Sequence, residues 1–412
     1  MKLLPLTVLR VFLPFAAGYF LSYLYRVVNA VIASDLIADT GIGPSALGML
    51  TAIYFITFAS FQLPLGVLLD RFGPRKVESI LLLFAALGAI IFSRAEHLAG
   101  LVGGRAFIGL GVSSCLMASF KAYTLWFPKE KWPLVNGLQM AAGGLGAMAA
   151  TSPVETALQF TDWRGVFTGL ALLTLVAAAA VFVVVPENRS VGGNRENLQD
   201  QLRGIREIFT SRIFWRTAPL TTASQAAFMA IHGLWAGPWL THLGKLGRTE
   251  VAGVLFWMAV AMVAGYITIG SLAATLSRKG IAEATIGVVG MTLFMAIQFF
   301  LLLNPAGWVV PLWLAFSFLG TSGIIIYSSL SQAFPVHLSG RVTTALNLLV
   351  FVAAFAGQWA IGIIIDLWPT GAGQPLAAAG FNTGFGLLLV LQVAGLVHYL
   401  FPALSRLSPK IV

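Results

Sequence analysis

The sequence predicts an all-α membrane protein, with twelve transmembrane helices in two pseudo-symmetric six-helix bundles. Three observations carry that expectation. Hydrophobic residues make up 58% of the 412-residue chain and charged residues only 10%, where soluble domains carry about 25% charged. Apolar runs of bilayer-crossing length recur from one end to the other. Two landmarks also repeat at a shared offset of 207 residues, Arg71-Phe72-Gly73 with Arg278-Lys279-Gly280 and Phe127-Pro128 with Phe334-Pro335.

The apolar windows place spans 1 to 12 at 11–34, 46–69, 77–94, 98–126, 132–155, 163–185, 212–241, 250–276, 282–303, 307–333, 341–366 and 378–402. The expected organisation is an N-terminal bundle over 1–186, a cytoplasmic linker over 187–211 and a C-terminal bundle over 212–412. Span 1 has the basic flank and apolar run of a signal peptide, but Arg26 and Asn29 stand where cleavage would fall and no A-x-A pattern precedes them. It reads as a retained helix. In the linker, Leu198, Leu202, Ile205, Ile208 and Phe209 recur at helical spacing opposite Asp200, Arg203, Arg206 and Glu207. That pattern predicts either an amphipathic helix on the inner membrane surface or a plain flexible connection.

Charge sets the orientation. Most of the 25 lysines and arginines fall in the N-terminus, the even-to-odd loops and the C-terminus, while Arg94, Arg164, Lys245 and Arg248 fall on the opposite side. The positive-inside rule then puts both termini in the cytoplasm. The net charge of +10 reads as topology and lipid-headgroup contact, not as nucleic-acid binding. The lone Cys115 excludes a disulfide framework or thiolate metal site within the chain. His97, His232, His242, His337 and His398 are scattered without ligand spacing. No metal, cofactor or enzymatic site is expected, and the chain reads as a monomer.

The loop Gly66-Val67-Leu68-Leu69-Asp70-Arg71-Phe72-Gly73-Pro74-Arg75-Lys76 closes span 2 and opens span 3. Gly66 would let two helices approach, Gly73-Pro74 forces a turn, and Asp70 suits a helix N-terminus. This order of residues resembles the loop between the second and third spans of the major facilitator superfamily. Gly66, Asp70, Arg71, Gly73 and Arg75 all match that pattern. In the second copy Ser277 replaces Asp70, so the charge latch is expected in one half only. The segments Trp163-Arg164-Gly165-Val166-Phe167 and Gly340-Arg341-Val342-Thr343-Thr344-Ala345-Leu346-Asn347 resemble bacterial members as well. The resemblance covers nearly the whole chain. It implies secondary transport by alternating access, with cytoplasmic gating by Gly66, Asp70, Arg71, Gly73, Arg75 and, near the start of span 11, Arg341. Arg105, within Leu101-Val102-Gly103-Gly104-Arg105-Ala106-Phe107-Ile108-Gly109-Leu110-Gly111, resembles the family's span-4 motif, whose Arg is linked to proton coupling. Glu155 is its expected acidic partner, and a structural salt bridge is the alternative role. The family's antiporter glycine pattern and nitrate-porter signature are absent.

Charge within a bilayer is costly, by about 2.5–3.5 kcal/mol per group on insertion scales. Three cations remain within spans, Arg26, Arg105 and Lys121, while Asp35, Glu155 and Asp366 read as lying toward outer helix ends. No acid is expected near mid-membrane, so surplus positive charge predicts an anionic ligand. Tyr19, Ser22, Arg26 and Asn29 share a stripe of span 1 by their spacing, and a guanidinium there suits a carboxylate. Lys121 is a ligand contact or a side chain snorkelling to the headgroups. Gln139 on span 5 is a further candidate. The C-terminal half offers Gln225, His232 and Trp235 on span 7, with Thr221 and Phe228 on the same face, Tyr327 on span 10, and Asn347, Phe351 and Gln358 on span 11. Trp239 reads as an interfacial belt residue, and His232 as a ligand contact or a histidine bonded to its neighbours. Together these predict import of a small organic anion, a carboxylate metabolite or an anionic iron chelate, with a proton or sodium as coupling ion. Export of amphipathic or drug-like compounds is the alternative.

Overall fold

The computed structural model describes residues 4–128, 131–187, 198–303, 307–335, 338–368 and 378–407. Those residues are almost entirely helical, without a strand. Ten helices are long and apolar enough to cross a membrane. The other two spans are the segments Trp132–Ala149 with Ser152–Ala157 and Arg212–Ala230 with Ala236–His242. Asn136 and Gln139 in one, and Arg212, Arg216 and Gln225 in the other, dilute their apolar content. Twelve helices in two bundles result, as expected.

Spans 2 and 3 run through Pro44–Arg94 as one helical path bent at Gly73, whose φ of 77° is left-handed. Gly280 takes φ 89° at the matching place before span 9. A side-chain-bearing residue is disfavoured at both, so the repeat survives in backbone conformation even though Asp70 has no counterpart. The interrupted helices keep the same register. Span 1 is divided at Val28 into Leu13–Val27 and Asn29–Thr40, and the π-helical turn Ile231–Trp235 interrupts span 7 at the matching place. Span 4 breaks at Ser113-Ser114 between Leu98–Val112 and Cys115–Trp126, and the 3₁₀ turn Gly320–Gly323 interrupts span 10.

Three of the four breaks, those of spans 1, 4 and 10, have a side chain at an exposed carbonyl. Arg105 Nη1 donates to the Tyr25 carbonyl at 2.8 Å and Gln62 Nε2 to Ser113 at 3.2 Å. Gln225 Nε2 donates to Gly320 at 2.9 Å. A side chain inserted at the i→i−4 ladder is a known cause of helix bending. Such interruptions are tolerated at membrane depth only where the freed groups face protein or a cavity.

Because lipid is as apolar as leucine, close packing rather than burial joins these helices. Spans 3 and 4 touch through glycine: a Cβ at Gly104 would stand 2.7 Å from the Phe92 nitrogen. The linker helix Leu198–Thr210 corrects one expectation. Its Ile208 and Phe209 pack with Phe214, Leu330, Val342 and Leu346 of spans 7, 10 and 11. That apolar face is taken up by protein, so at these positions the helix docks on the C-terminal bundle instead of on lipid. Leu198, Leu202 and Arg203 lie outside the described side chains.

Candidate functional site

A cavity of about 290 Å³ lies between the two halves. Tyr19, Ser22, Tyr23, Arg26, Phe58 and Gln62 line it from the N-terminal half. Gln225, Phe228, His232, Tyr266, Tyr327, Asn347 and Phe351 line it from the other. Arg26 is the one Lys or Arg on its wall among the described residues. Its guanidinium carbon lies 4.5 Å from the centre of the Tyr23 ring, 5.6 Å from Phe58 and 5.5 Å from Phe351. Ring faces attract a cation by about 0.5–2 kcal/mol each without consuming its N–H donors. Nε of Arg26 is buried with no hydrogen-bond partner, and no described carboxylate forms an ion pair with it. The cation is held in place and left unneutralised. Facing it, His232 sits on the π-helical turn of span 7, its Nε2 unpartnered and its ring 5.1 Å from Phe228.

Several sequence candidates lie elsewhere. Asn29 gives its amide to Thr51 at 2.9 Å and is absent from the wall; it lies past the break at Val28, which parts it from Tyr19, Ser22 and Arg26 of the same stripe. Gln139 is fully buried, accepting from Tyr123 at 2.6 Å and donating to the Phe15 carbonyl at 3.2 Å. Trp235 donates to the Gln358 carbonyl at 2.9 Å, and both side chains are buried away from the wall. Lys121 is not a lining residue. Trp239 is no belt residue: it is 1% exposed and packs edge-on against Trp313 at 5.3 Å. The residues missed are chiefly Tyr23, one turn before Arg26, and Tyr266, a single phenol in an otherwise apolar stretch of span 8. The first was legible as an i, i+3 neighbour of the cation.

Arg105 and Glu155 are not partners. Arg105 gives Nη1 to the span-1 carbonyl of Tyr25, with Nε and Nη2 buried without a partner among the described residues and its guanidinium 5.2 Å from the Tyr54 ring, while Glu155 accepts from Arg248 Nε at 2.6 Å. A further acid, besides Asp35, Glu155 and Asp366, is Glu78, the second residue of the expected span 3, and it is completely buried. It escaped notice because the cations Arg75 and Lys76 just before it make the stretch read as the end of a loop.

Arg248, at the start of span 8, also grips Asp35 of span 1 with two 2.6 Å bonds. At the same end Asp366 Oδ2 accepts from the Ser45 backbone N–H at 2.8 Å, capping span 2 from the other half. Glycines bring the halves together nearby: a Cβ at Gly48 would stand 2.9 Å from the Gln358 carbonyl, and one at Gly237 would overlap the Ala30 carbonyl. Deeper, Phe58 stacks on Phe351 at 4.5 Å. Beyond that pair the cavity wall continues toward the basic-loop end through Gln62, Phe120, Tyr327 and Thr343.

At the basic-loop end, Arg75 Nε donates to the Phe182 carbonyl at 2.7 Å and Lys76 pairs with Glu187 at 2.8 Å. Arg71 lies over the Phe72 ring at 5.2 Å. Gly66 is not a close-approach glycine, since a Cβ there would meet nothing within 4 Å. Arg341 packs against Gly204 of the linker helix, Nη1 lying 2.6 Å from where a Cβ would stand. The side chain of Asp70 lies outside the described residues.

The family model for the Major Facilitator Superfamily matches residues 15–358. The probable sulfoacetate transporter SauU of Cupriavidus necator is 26% identical over 157 residues, covering 38% of this chain and 36% of that protein. The nitrite extrusion protein of Bacillus subtilis is 28% identical over 213 residues, 50% of this chain and 51% of that one. The chain thus matches only about a third to a half of the length of these relatives. Among solved structures, a bacterial homolog of the human lysosomal transporter Spinster, inward-facing and unoccupied, superposes with a TM-score of 0.79. It shares 15% identity over 97% of this chain and 98% of that one, a likeness of fold.

Proposed function

The chain belongs to the Major Facilitator Superfamily, and from that premise we propose that it is a secondary transporter of small anions, worked by alternating access between its halves. Members of this family are transporters, and the chain is not an enzyme. The observation that carries the anion reading is Arg26, a cation on the wall of the inter-half cavity with an unpartnered N–H and no carboxylate opposite. The names of two relatives, a sulfoacetate transporter and a nitrite exporter, agree with that sign of charge.

The wall favours a compact monoanion with an apolar or aromatic body over an iron chelate. One guanidinium matches one carboxylate, sulfonate or similar head bidentately, and rings line much of the remaining surface. Ligand pockets usually run to about 300–1,000 Å³, so 290 Å³ is at the small end. With the basic loops in the cytoplasm, the seal around Arg248 lies outside and the described state faces inward. Anion binding then draws the halves together around Arg26, since a ligand shifts an equilibrium only by its differential affinity for two states. Import, the inner membrane and the cytoplasmic latch around Asp70 and Arg341 belong to this same reading.

The test is a thermal-shift screen of nitrite, monocarboxylates and sulfonates on purified protein, repeated with Arg26→Gln and followed by proteoliposome uptake of the hits. Stabilisation that grows with ligand concentration in the wild type and vanishes in the variant is expected. Anion transport that survives Arg26→Gln in full would overturn the site.

A further inference from the structure

Glu78 is 0% exposed, and neither carboxyl oxygen has a hydrogen-bond partner among the described residues. Its seat is specific. Oε1 occupies the space that a Cβ at Gly18 of span 1 would fill, and Cys115 Sγ of span 4 lies 3.7 Å from the same point. Only glycine at position 18 admits the carboxyl group this close to span 1. The nearest cations on its own helix are engaged elsewhere, Lys76 with Glu187 at 2.8 Å and Arg75 with the Phe182 carbonyl at 2.7 Å.

An ionised carboxylate stripped of both water and partners is among the most costly groups a protein interior can hold, and such a group takes up a proton instead. The seat also adjoins the anion cavity: Tyr19 and Ser22, beside Gly18 on span 1, line that cavity, as do Ser113 and Leu116 beside Cys115. The same two helices therefore hold the anion site on one side and Glu78 on the other.

The structure assigns to Glu78, we propose, the role of a proton-binding site: the carboxyl is protonated while seated on Gly18 and gives its proton to water when span 1 moves away. As a coupling site it rests on the transporter reading above, and it makes the chain a proton-linked carrier that moves one proton with one monoanion. The proton adds to a carboxylate oxygen and leaves to water on the other side, with no other bond changed.

The titratable groups facing Glu78 are few. Span 4 presents the Cys115 thiol and the Tyr123 phenol, both within electrostatic range, and the phenol is already committed to Gln139. Span 1 presents Gly18, with the Arg26 charge beyond Cys115. Span 6, Trp163–Val184, has a single ionisable residue, Arg164, at its far end and paired with Asp39 at 2.8 Å.

The experiment needs no substrate. Infrared difference spectra of purified protein after an upward pH jump are compared for wild type, Glu78→Gln and Gly18→Ala. A protonated-carboxyl C=O band that disappears in the wild type, is missing from Glu78→Gln and is shifted in Gly18→Ala is the expected result. Spin-label distances across the basic-loop end, followed against pH, should change in the wild type and stay constant in Glu78→Gln. A wild type without that band, or a Glu78→Gln variant with full pH dependence, overturns the proposal whatever the anion screen returns. With an anion from that screen, Glu78→Gln should keep exchange of labelled for unlabelled anion and lose accumulation driven by a pH gradient. Unchanged gradient-driven accumulation would overturn the coupling role while leaving Arg26 untouched.

Discussion

The two ends of the molecule are held by different physics. At the Arg248 end, charge and backbone contact act together: one guanidinium satisfies Asp35 and Glu155, Asp366 caps span 2, and glycines let helices of opposite halves meet at backbone distance. In the cavity, Arg26 lies on the wall with no counter-ion among the described residues. A carrier needs that asymmetry, because the closed side must be stable without ligand and the open side must be stabilised by ligand.

Four changes probe this contrast, beginning with the largest. Arg26→Gln removes the uncompensated charge. Losing one partner of a buried charged pair costs about 2–5 kcal/mol, so affinity for the transported anion should fall by roughly 30-fold or more, read by thermal shift or equilibrium binding. Gly237→Ala places a methyl on the Ala30 carbonyl. Overpacking of about 1–3 kcal/mol should open the Arg248 end by roughly 5- to 150-fold in population, seen as spin-label distances across that end. Affinity measured in a fixed conformation should survive. Arg248→Gln should act in the same direction with a lower ceiling: the arginine is 48% exposed, and exposed pairs contribute about 0.2–1 kcal/mol each, so losing those to Asp35 and Glu155 shifts the population by roughly 30-fold at most. The smallest effect is expected from Lys121→Gln, which lies off the cavity wall. A change in anion affinity beyond about 0.5 kcal/mol, roughly twofold, would mean that the site extends further down span 4 than the cavity does.

Fold and site were legible to different depths. Hydropathy and the 207-residue offset carried the architecture because lipid imposes length and apolarity on every span, and duplication leaves its mark even where side chains have diverged. The place of Arg26 on the cavity wall was legible because a cation in an apolar run has few explanations. Asn29 misled because spacing assumes an unbroken helix, whereas Arg105, from a residue 80 positions away in sequence, reaches the span-1 carbonyl where the helix is divided. Gln139 and Gln358 misled for a related reason: a polar side chain in a span must satisfy something, and sequence does not tell whether that is a ligand or a neighbouring helix. Glu78 was hidden by its neighbours, since its partnerless state depends on where Arg75 and Lys76 point. The apolar residues of the linker helix had two acceptable solvents, lipid and protein, and only tertiary structure sets Ile208 and Phe209 against protein.

The cap that Asp366 supplies to span 2 across the molecule has a kinetic consequence. Both the carboxylate and the Ser45 amide lie at an exposed rim, so water replaces each as soon as the other departs, and parting them leaves nothing stranded. Such a fastening releases quickly and reforms quickly. Dissolved ions weaken it further, so the rate at which this end opens should rise with the salt concentration around it.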